Sequence, residues 1–213
     1  MDHITPFAAQ PLLIATGNPG KLREFATALN RAGFRVCGLE ALDSSPAVVE
    51  ETGDTFEANA RIKAEAYSRF TELWVVADDS GLEVDALAGA PGVQSARYGG
   101  PGMDDEGSNR KLLSALTGVP DADRTARFRC VLALARRGET HATFDGTVEG
   151  RIQHGPAGEN GFGYDPLFFY PPAGCTTAEL SPAEKQRISH RGKAIAALLE
   201  ALRTGVLAGA DRG

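Results

Sequence analysis

LLIATGNPGKLREF, residues 12–25, decides how this chain is read. Leu12–Ala15 is a short apolar run of the kind that forms a buried strand. Thr16 and Gly17 lead out of it. Asn18 can cap a helix, and Pro19 suits the first helical position, where an N–H would have no partner. Leu22, Phe25, Leu29 and Ala32 then recur at steps of three and four, which gives one buried helical face, and Gly33 suits the stop. A strand passing through a glycine turn into an amphipathic helix is the opening unit of an α/β protein.

The alternation continues outward. A second helix is predicted from Asp54, with Glu57 completing a capping box and Phe56, Ala60, Ala64 and Tyr67 as its apolar stripe. Asn59 and Lys63 are four apart and share a face beside that stripe. Trp74–Ala77 reads as a strand that ends in the polar turn Asp78-Asp79-Ser80-Gly81. Phe128, Cys130, Leu132 and Leu134 alternate as a strand, and His141–Ile152 supplies one or two more. Leu167–Tyr170 is a short aromatic strand stopped by Pro171-Pro172. Ser181-Pro182-Ala183-Glu184 opens a third helical region, and a last helix buries Ile195, Leu198, Leu199 and Leu202 before stopping at Gly205. The expected fold is a mixed β-sheet with helices on both faces. Residues 1–11 form an extension, 12–205 a single domain and 206–213 a Gly/Ala-rich tail.

Composition narrows the partners. The formal charge of −6 over 213 residues disfavours a nucleic-acid polymer. The longest apolar runs, such as Cys130–Ala135, fall far short of the roughly 20 residues that span a bilayer. MDHITPFAAQ lacks the basic start of a secretory signal. Cys37, Cys130 and Cys175 are odd in number and widely spaced, which suits neither a disulfide framework nor a zinc site and points to the cytoplasm. Glycine is in surplus, 25 residues where about 7% is usual, so many must serve special turns.

Four segments carry chemistry. The turn Thr16-Gly17-Asn18-Pro19-Gly20-Lys21 presents a helix N-terminus and a cation, which suits phosphate. It lacks the spacing of a Walker A loop, and the plainer alternative is a strand–helix turn with a surface lysine. Glu50 and Glu51 precede the second helix, and Asp78 and Asp79 end a strand. Such carboxylates can hold a hard cation like Mg²⁺ or take a proton from water, or they can simply be turn residues. In Gly158-Glu159-Asn160-Gly161-Phe162-Gly163-Tyr164-Asp165-Pro166, glycines around aromatic rings allow a flat ligand to approach, and a hairpin turn with anchoring rings explains the same string. Residues 181–193 are net +3. That is the pattern of a solvated basic helix, although Arg191 is a planar donor able to read oxygens.

Taken in order, ATGNPGKLREF (15–25), EETGDTFEANARIKA (50–64), ADDSGLEVDALAGAPGVQSARYGG (77–100), GFGYDPLFF (161–169) and AELSPAEKQRISHRGKA (178–194) closely resemble the inosine/xanthosine triphosphate pyrophosphatases. The resemblance implies an elongated fold of two lobes with the active-site cleft between them. It also implies a homodimer and a Mg²⁺-dependent hydrolase, with Mn²⁺ as an alternative ion. Its substrates would be ITP, dITP and XTP, cut to the monophosphate and pyrophosphate. By the same resemblance, Thr16–Lys21 binds phosphate and Glu50 and Asp79 hold the metal. Asp79 also accepts the proton of the attacking water, and Glu51 and Asp78 are further candidate ligands. Lys63, Ser80 and Lys185 contact substrate, and Phe162, Gly163, Tyr164 and Asp165 form the nucleoside turn. His190 and Arg191 read the purine's 6-oxo edge. The rivals are a pyrophosphatase for other modified nucleotides and a non-catalytic nucleotide sensor. Four acids without a base in each of 50–57 and 78–85 speak against the sensor.

Overall fold

The computed structural model describes residues 10–42, 44, 49–102 and 104–204. The N-terminal extension up to residue 9, the stop at Gly205 and the tail lie outside the described residues. The principal elements are β1 (Leu12–Ile14), α1 (Pro19–Arg31), β2 (Val36–Cys37), α2 (Phe56–Ser68), β3 (Val75–Val84) and α3 (Asp105–Ala115). They continue with β4 (Thr125–Arg136), β5 (Glu139–Ile152), β6 (Phe168–Tyr170), β7 (Cys175–Thr176), α4 (Pro182–Ile188) and α5 (His190–Thr204). The strands form one sheet in the order β2-β1-β3-β4-β5-β6-β7. β1 pairs parallel with β2 and β3, while β6 pairs antiparallel with β5 and β7. The sheet is mixed, as expected, and open, with β2 and β7 at its edges.

The chain divides into two units. The first comprises residues up to Asp79, Cys130–Gly146 and Arg191 onward, and the second Ser80–Arg129 with Thr147–His190. In the first, Phe25 and Leu29 of α1 and Ile195, Leu198 and Leu202 of α5 pack on Leu12, Ile14, Val76, Leu132 and Leu134. Those strand residues alternate, so they share one face of the sheet. Leu13, Val75, Ala77, Val131 and Ala133 take the other face and are buried too. In the second unit, Leu112 of α3 and Leu116 just after it meet Leu82, Val84, Phe128, Val148, Ile152 and Phe168. All three cysteines are free, and burial pushes the Cys130 thiol up to about 12.

α1 and α4 begin as their local signals predict. Asn18 Oδ1 accepts from the N–H groups of Gly20 and Lys21, and Ser181 and Glu184 form the reciprocal capping box. Two expectations change and one is narrowed. The cap of α2 is Thr55, whose hydroxyl accepts from Ala58 N, so no Asp54–Glu57 box forms and Glu57 bonds Arg61 instead. His141–Ile152 belongs to one continuous strand, β5. Most consequentially, Asp78-Asp79-Ser80-Gly81 is no turn, because β3 runs straight through it to Val84. Turn-forming side chains are overridden where both carboxylates find partners inside the fold. α3 has no counterpart in the sequence reading, since its buried positions are few and its cap, Asp104, sits among other acids.

Candidate active site

The mid-strand placement of Asp78 and Asp79 decides the geometry, because successive strand residues face opposite ways. Asp78 lies on the face shared with Val76. Its Oδ2 is 2.9 Å from Lys21 Nζ and 3.3 Å from the Arg191 guanidinium. Arg191 is only 2% exposed and also bonds Glu24 at 2.6 Å. Burial alone would raise the Asp78 carboxyl, but the charges of Lys21, Arg191 and Lys63 outweigh it and hold the group well below its ordinary value. Asp78 is thereby committed to an ionic cluster joining β3 to α1 and α5.

Asp79 faces α2. Asn59 Nδ2 donates to its Oδ2 at 3.2 Å, and Lys63 Nζ lies 3.4 Å from its Oδ1. The same ammonium is 2.8 Å from Glu51 Oε1. Asn59 is fixed at its other end, where its Oδ1 accepts from Gly53 N at 2.7 Å. The predicted shared face of Asn59 and Lys63 therefore exists, and Asp79 is what it faces. Burial raises the Asp79 carboxyl above its ordinary value; Lys63 opposes this, while the negative charge of Glu51 adds to it. Lys63 is held toward its charged form: burial works against that, but Asp78, Asp79 and Glu51 prevail.

The residues expected to hold the metal are Glu50 and Asp79, with Glu51 and Asp78 as further candidates. Glu51 joins Asp79 through Lys63, whereas Glu50 is exposed. Among the described residues, no group of three or more His, Cys, Asp or Glu side chains surrounds one point. The donor chemistry nevertheless fits a hard divalent cation, since Glu51 and Asp79 already offer carboxylate oxygens to one cationic centre.

In the turn expected to bind phosphate, Thr16 Oγ1 accepts from Asn18 N, and Asn18 Oδ1 accepts from the N–H groups of Gly20 and Lys21. The helix dipole remains, but several of the donors expected for phosphate are consumed by the cap. Gly17 is exposed, has no left-handed φ and would meet nothing within 4 Å if it carried a Cβ. The fold therefore does not require glycine there, and the missing side chain leaves open space beside the turn.

The second unit holds the other predicted residues. Asp165 is buried, accepting from Phe162 N at 2.8 Å, from Thr177 Oγ1 at 2.9 Å and from Lys185 Nζ at 2.6 Å. Lys185 Nζ stands 4.7 Å from the Phe162 ring centroid. Gly161 has φ +81, and a Cβ there would strike the Asp165 carboxylate. Tyr164 is anchored by its hydroxyl donating to Ser95 O. Gly163 donates to Asp105 and accepts from Asn109. A pocket of about 410 Å³ beside this loop is lined by Asp105, Asn109, Gly158, Gly161 and Phe162, among others. His190 stacks on Phe128, with centroids 4.8 Å apart and planes 13° from parallel.

The structure thus gathers Lys21, Lys63, Asp78, Asp79 and Arg191 in the first unit, and Phe162, Gly163, Tyr164, Asp165, Lys185 and His190 in the second, with Ser80 half-buried at the start of the second. His190 and Arg191, expected to act as a pair, are divided between the units. Residues 181–193 are not a solvated basic helix, since Lys185, His190 and Arg191 are buried. Sequence reasoning missed Glu24, Asp105, Asn109 and Thr177. Of these only Glu24 carried a signal, lying one helical turn beyond Lys21.

An open mixed sheet bearing buried carboxylate–lysine clusters defines an α/β protein equipped for charged substrates. Residues 12–201 match the model of the Ham1 family, and the chain belongs to that family. It is 51% identical over 193 residues to a dITP/XTP pyrophosphatase of Vibrio parahaemolyticus, covering 90% of this chain and 96% of that one. A dITP/XTP pyrophosphatase of Geobacillus kaustophilus is also 51% identical, over 89% of this chain and 92% of its own. Among solved structures, the Staphylococcus aureus Ham1 protein superposes with a TM-score of 0.80 at 44% identity, covering 92% of this chain and 99% of that one. A HAM1 protein from Coxiella burnetii gives 0.82 at 41%, covering 91% and 98%.

Proposed function

We propose that this protein is a nucleoside-triphosphate pyrophosphatase that hydrolyses ITP, dITP and XTP to the monophosphate and pyrophosphate, keeping these nucleotides out of DNA and RNA. The observation that carries the reading is the partly buried meeting of Glu51, Lys63, Asn59 and Asp79. It is supported by the dITP/XTP pyrophosphatase activity named for relatives at half identity.

Each residue has a task in this reading. Asp79 takes a proton from the water that attacks the phosphorus, and its raised carboxyl makes it a better base at working pH than an ordinary aspartate. Asn59 fixes the carboxylate plane. The Thr16–Lys21 turn and Lys63 meet the phosphates, with Lys21 aimed by Asp78 and Ser80 adding a substrate contact. Glu51 and Asp79 hold Mg²⁺, or Mn²⁺, with exposed Glu50 completing the set. When bound, that cation supplies charge neutralisation of the phosphates. The purine stacks on the Phe162 face opposite Lys185, and the Gly163–Asp165 backbone borders it. Lys185 backs the Phe162 ring from its other face, and His190 is the donor assigned to the 6-oxo group. Adenine's amino group would leave such a donor unpaired, at a cost of about 1–3 kcal/mol. Arg191 serves mainly to hold Asp78.

The protein works as a cytoplasmic homodimer in this reading, which light scattering tests for the dimer. The activity test is Mg²⁺-dependent pyrophosphate release from ITP, dITP and XTP, with ATP and GTP as controls. Orthophosphate release alone, equal rates on all purines, or binding without turnover would each defeat the reading.

A further inference from the structure

Lys63 stands in an odd place for a lysine that contacts substrate phosphate. Its Nζ lies 2.8 Å from Glu51 Oε1 and 3.4 Å from Asp79 Oδ1, with its side chain 11% exposed. These are the two acids assigned above to a divalent cation. Asp79 turns its other oxygen to Asn59, which the Gly53 N–H holds in place, so the oxygen facing Lys63 is set by the fold.

We propose that the Lys63 ammonium is a built-in competitor for the divalent cation: it bridges Glu51 and Asp79 in the cation's place, yields them when the cation binds, and then pairs with the phosphates of the substrate. This exchange rests on the metal assignment made under the proposed function. A lysine suits it, because the ammonium is a compact charge with three rotatable donors on a flexible stem, whereas arginine's rigid fork would bind the carboxylates in fixed geometry. A divalent ion and an ammonium about 3 Å from the same oxygens repel strongly, so both cannot keep these positions. The displaced ammonium then needs a counter-charge, and a triphosphate supplies it. Metal and triphosphate consequently assist one another's binding, and by linkage the assistance is mutual.

The test counts Mn²⁺ bound to the full chain, without nucleotide, from the paramagnetic resonance of the free ion. Lys63→Gln should bind Mn²⁺ about tenfold more tightly than wild type, because its acids have lost their internal cation. Lys63→Arg should bind no more tightly than wild type. Equal or weaker binding by Lys63→Gln, beside measurable wild-type binding, overturns the exchange. A merely structural lysine would give that result. If wild type binds no Mn²⁺, or Asp79→Asn binds as well as wild type, the metal assignment itself falls and takes the exchange with it, so the two failures are told apart. Should Lys63→Gln fail to fold by circular dichroism, lysine side-chain NMR of the wild type decides. Saturating Mg²⁺ must shift the Lys63 ε signal, and an unmoved signal overturns the proposal.

Discussion

The two faces of β3 at Asp78 and Asp79 make an instructive pair. The residues are chemically identical and adjacent, and both are buried. On one face Asp78 meets Lys21 and Arg191, and its carboxyl is driven down. On the other, Asp79 faces one lysine that it shares with a second acid, and its carboxyl is driven up. An acid surrounded by cations is cement. An acid short of positive charge is a base and a candidate metal ligand. The backbone's alternation of sides, more than the residue type, assigns the roles.

Exchanging charge for amide separates those roles. Asp79→Asn should lower turnover about a thousandfold, the scale of losing a general base, while circular dichroism shows an intact fold. A variant with near-normal turnover would strip Asp79 of its role. Asp78→Asn should act chiefly on stability, because buried Arg191 would lose one of its two carboxylate partners given above. Removing one partner of such a cluster costs about 3–5 kcal/mol, measurable by urea unfolding. Arg191→Ala should resemble it and leave the ITP-to-ATP preference unchanged. A collapsed preference would return Arg191 to reading the base.

The pH dependence has opposite signs on the two faces. The lowered Asp78 carboxyl contributes stability at neutral pH that is lost only as pH falls through its depressed folded value. The raised Asp79 carboxyl favours the fold when protonated, and that contribution is lost as pH rises through its raised folded value. Asp79→Asn should therefore melt above wild type near neutral pH, and the gap should close on acidification. A gap that is constant with pH would refute the opposed signs. The smallest effect concerns the α2 cap: Thr55→Ala should cost about 1 kcal/mol and Asp54→Ala close to nothing, and a reversed order in thermal melts would restore the Asp54 cap.

Much of this was legible in the chain itself. α1 was readable because Asn18, Pro19, a buried period and Gly33 agree. α4 was readable because Ser181 and Glu184 form a local motif that needs no partner from elsewhere. The second acid cluster was readable as a set of residues, but not as an arrangement. Asp78-Asp79-Ser80-Gly81 has the composition of a turn, and only cations delivered from α1, α2 and α5 make it a strand interior. Likewise, a basic run at 181–193 looks solvated until Asp165 and Asp78 are found against Lys185 and Arg191.

The alternation of strands and helices, the caps at Asn18 and Ser181, and the inventory of acids, lysines and aromatic rings are all set locally along the chain. These follow from periodicity and short-range hydrogen bonding, which act over a few residues. Tertiary structure alone decided that Asp78 is paired and Asp79 poised, that Glu51 shares an ammonium with Asp79, and that Arg191 is held by Glu24 and Asp78. Coulomb energy and desolvation depend on distances between side chains far apart in the chain, and only the fold sets those distances.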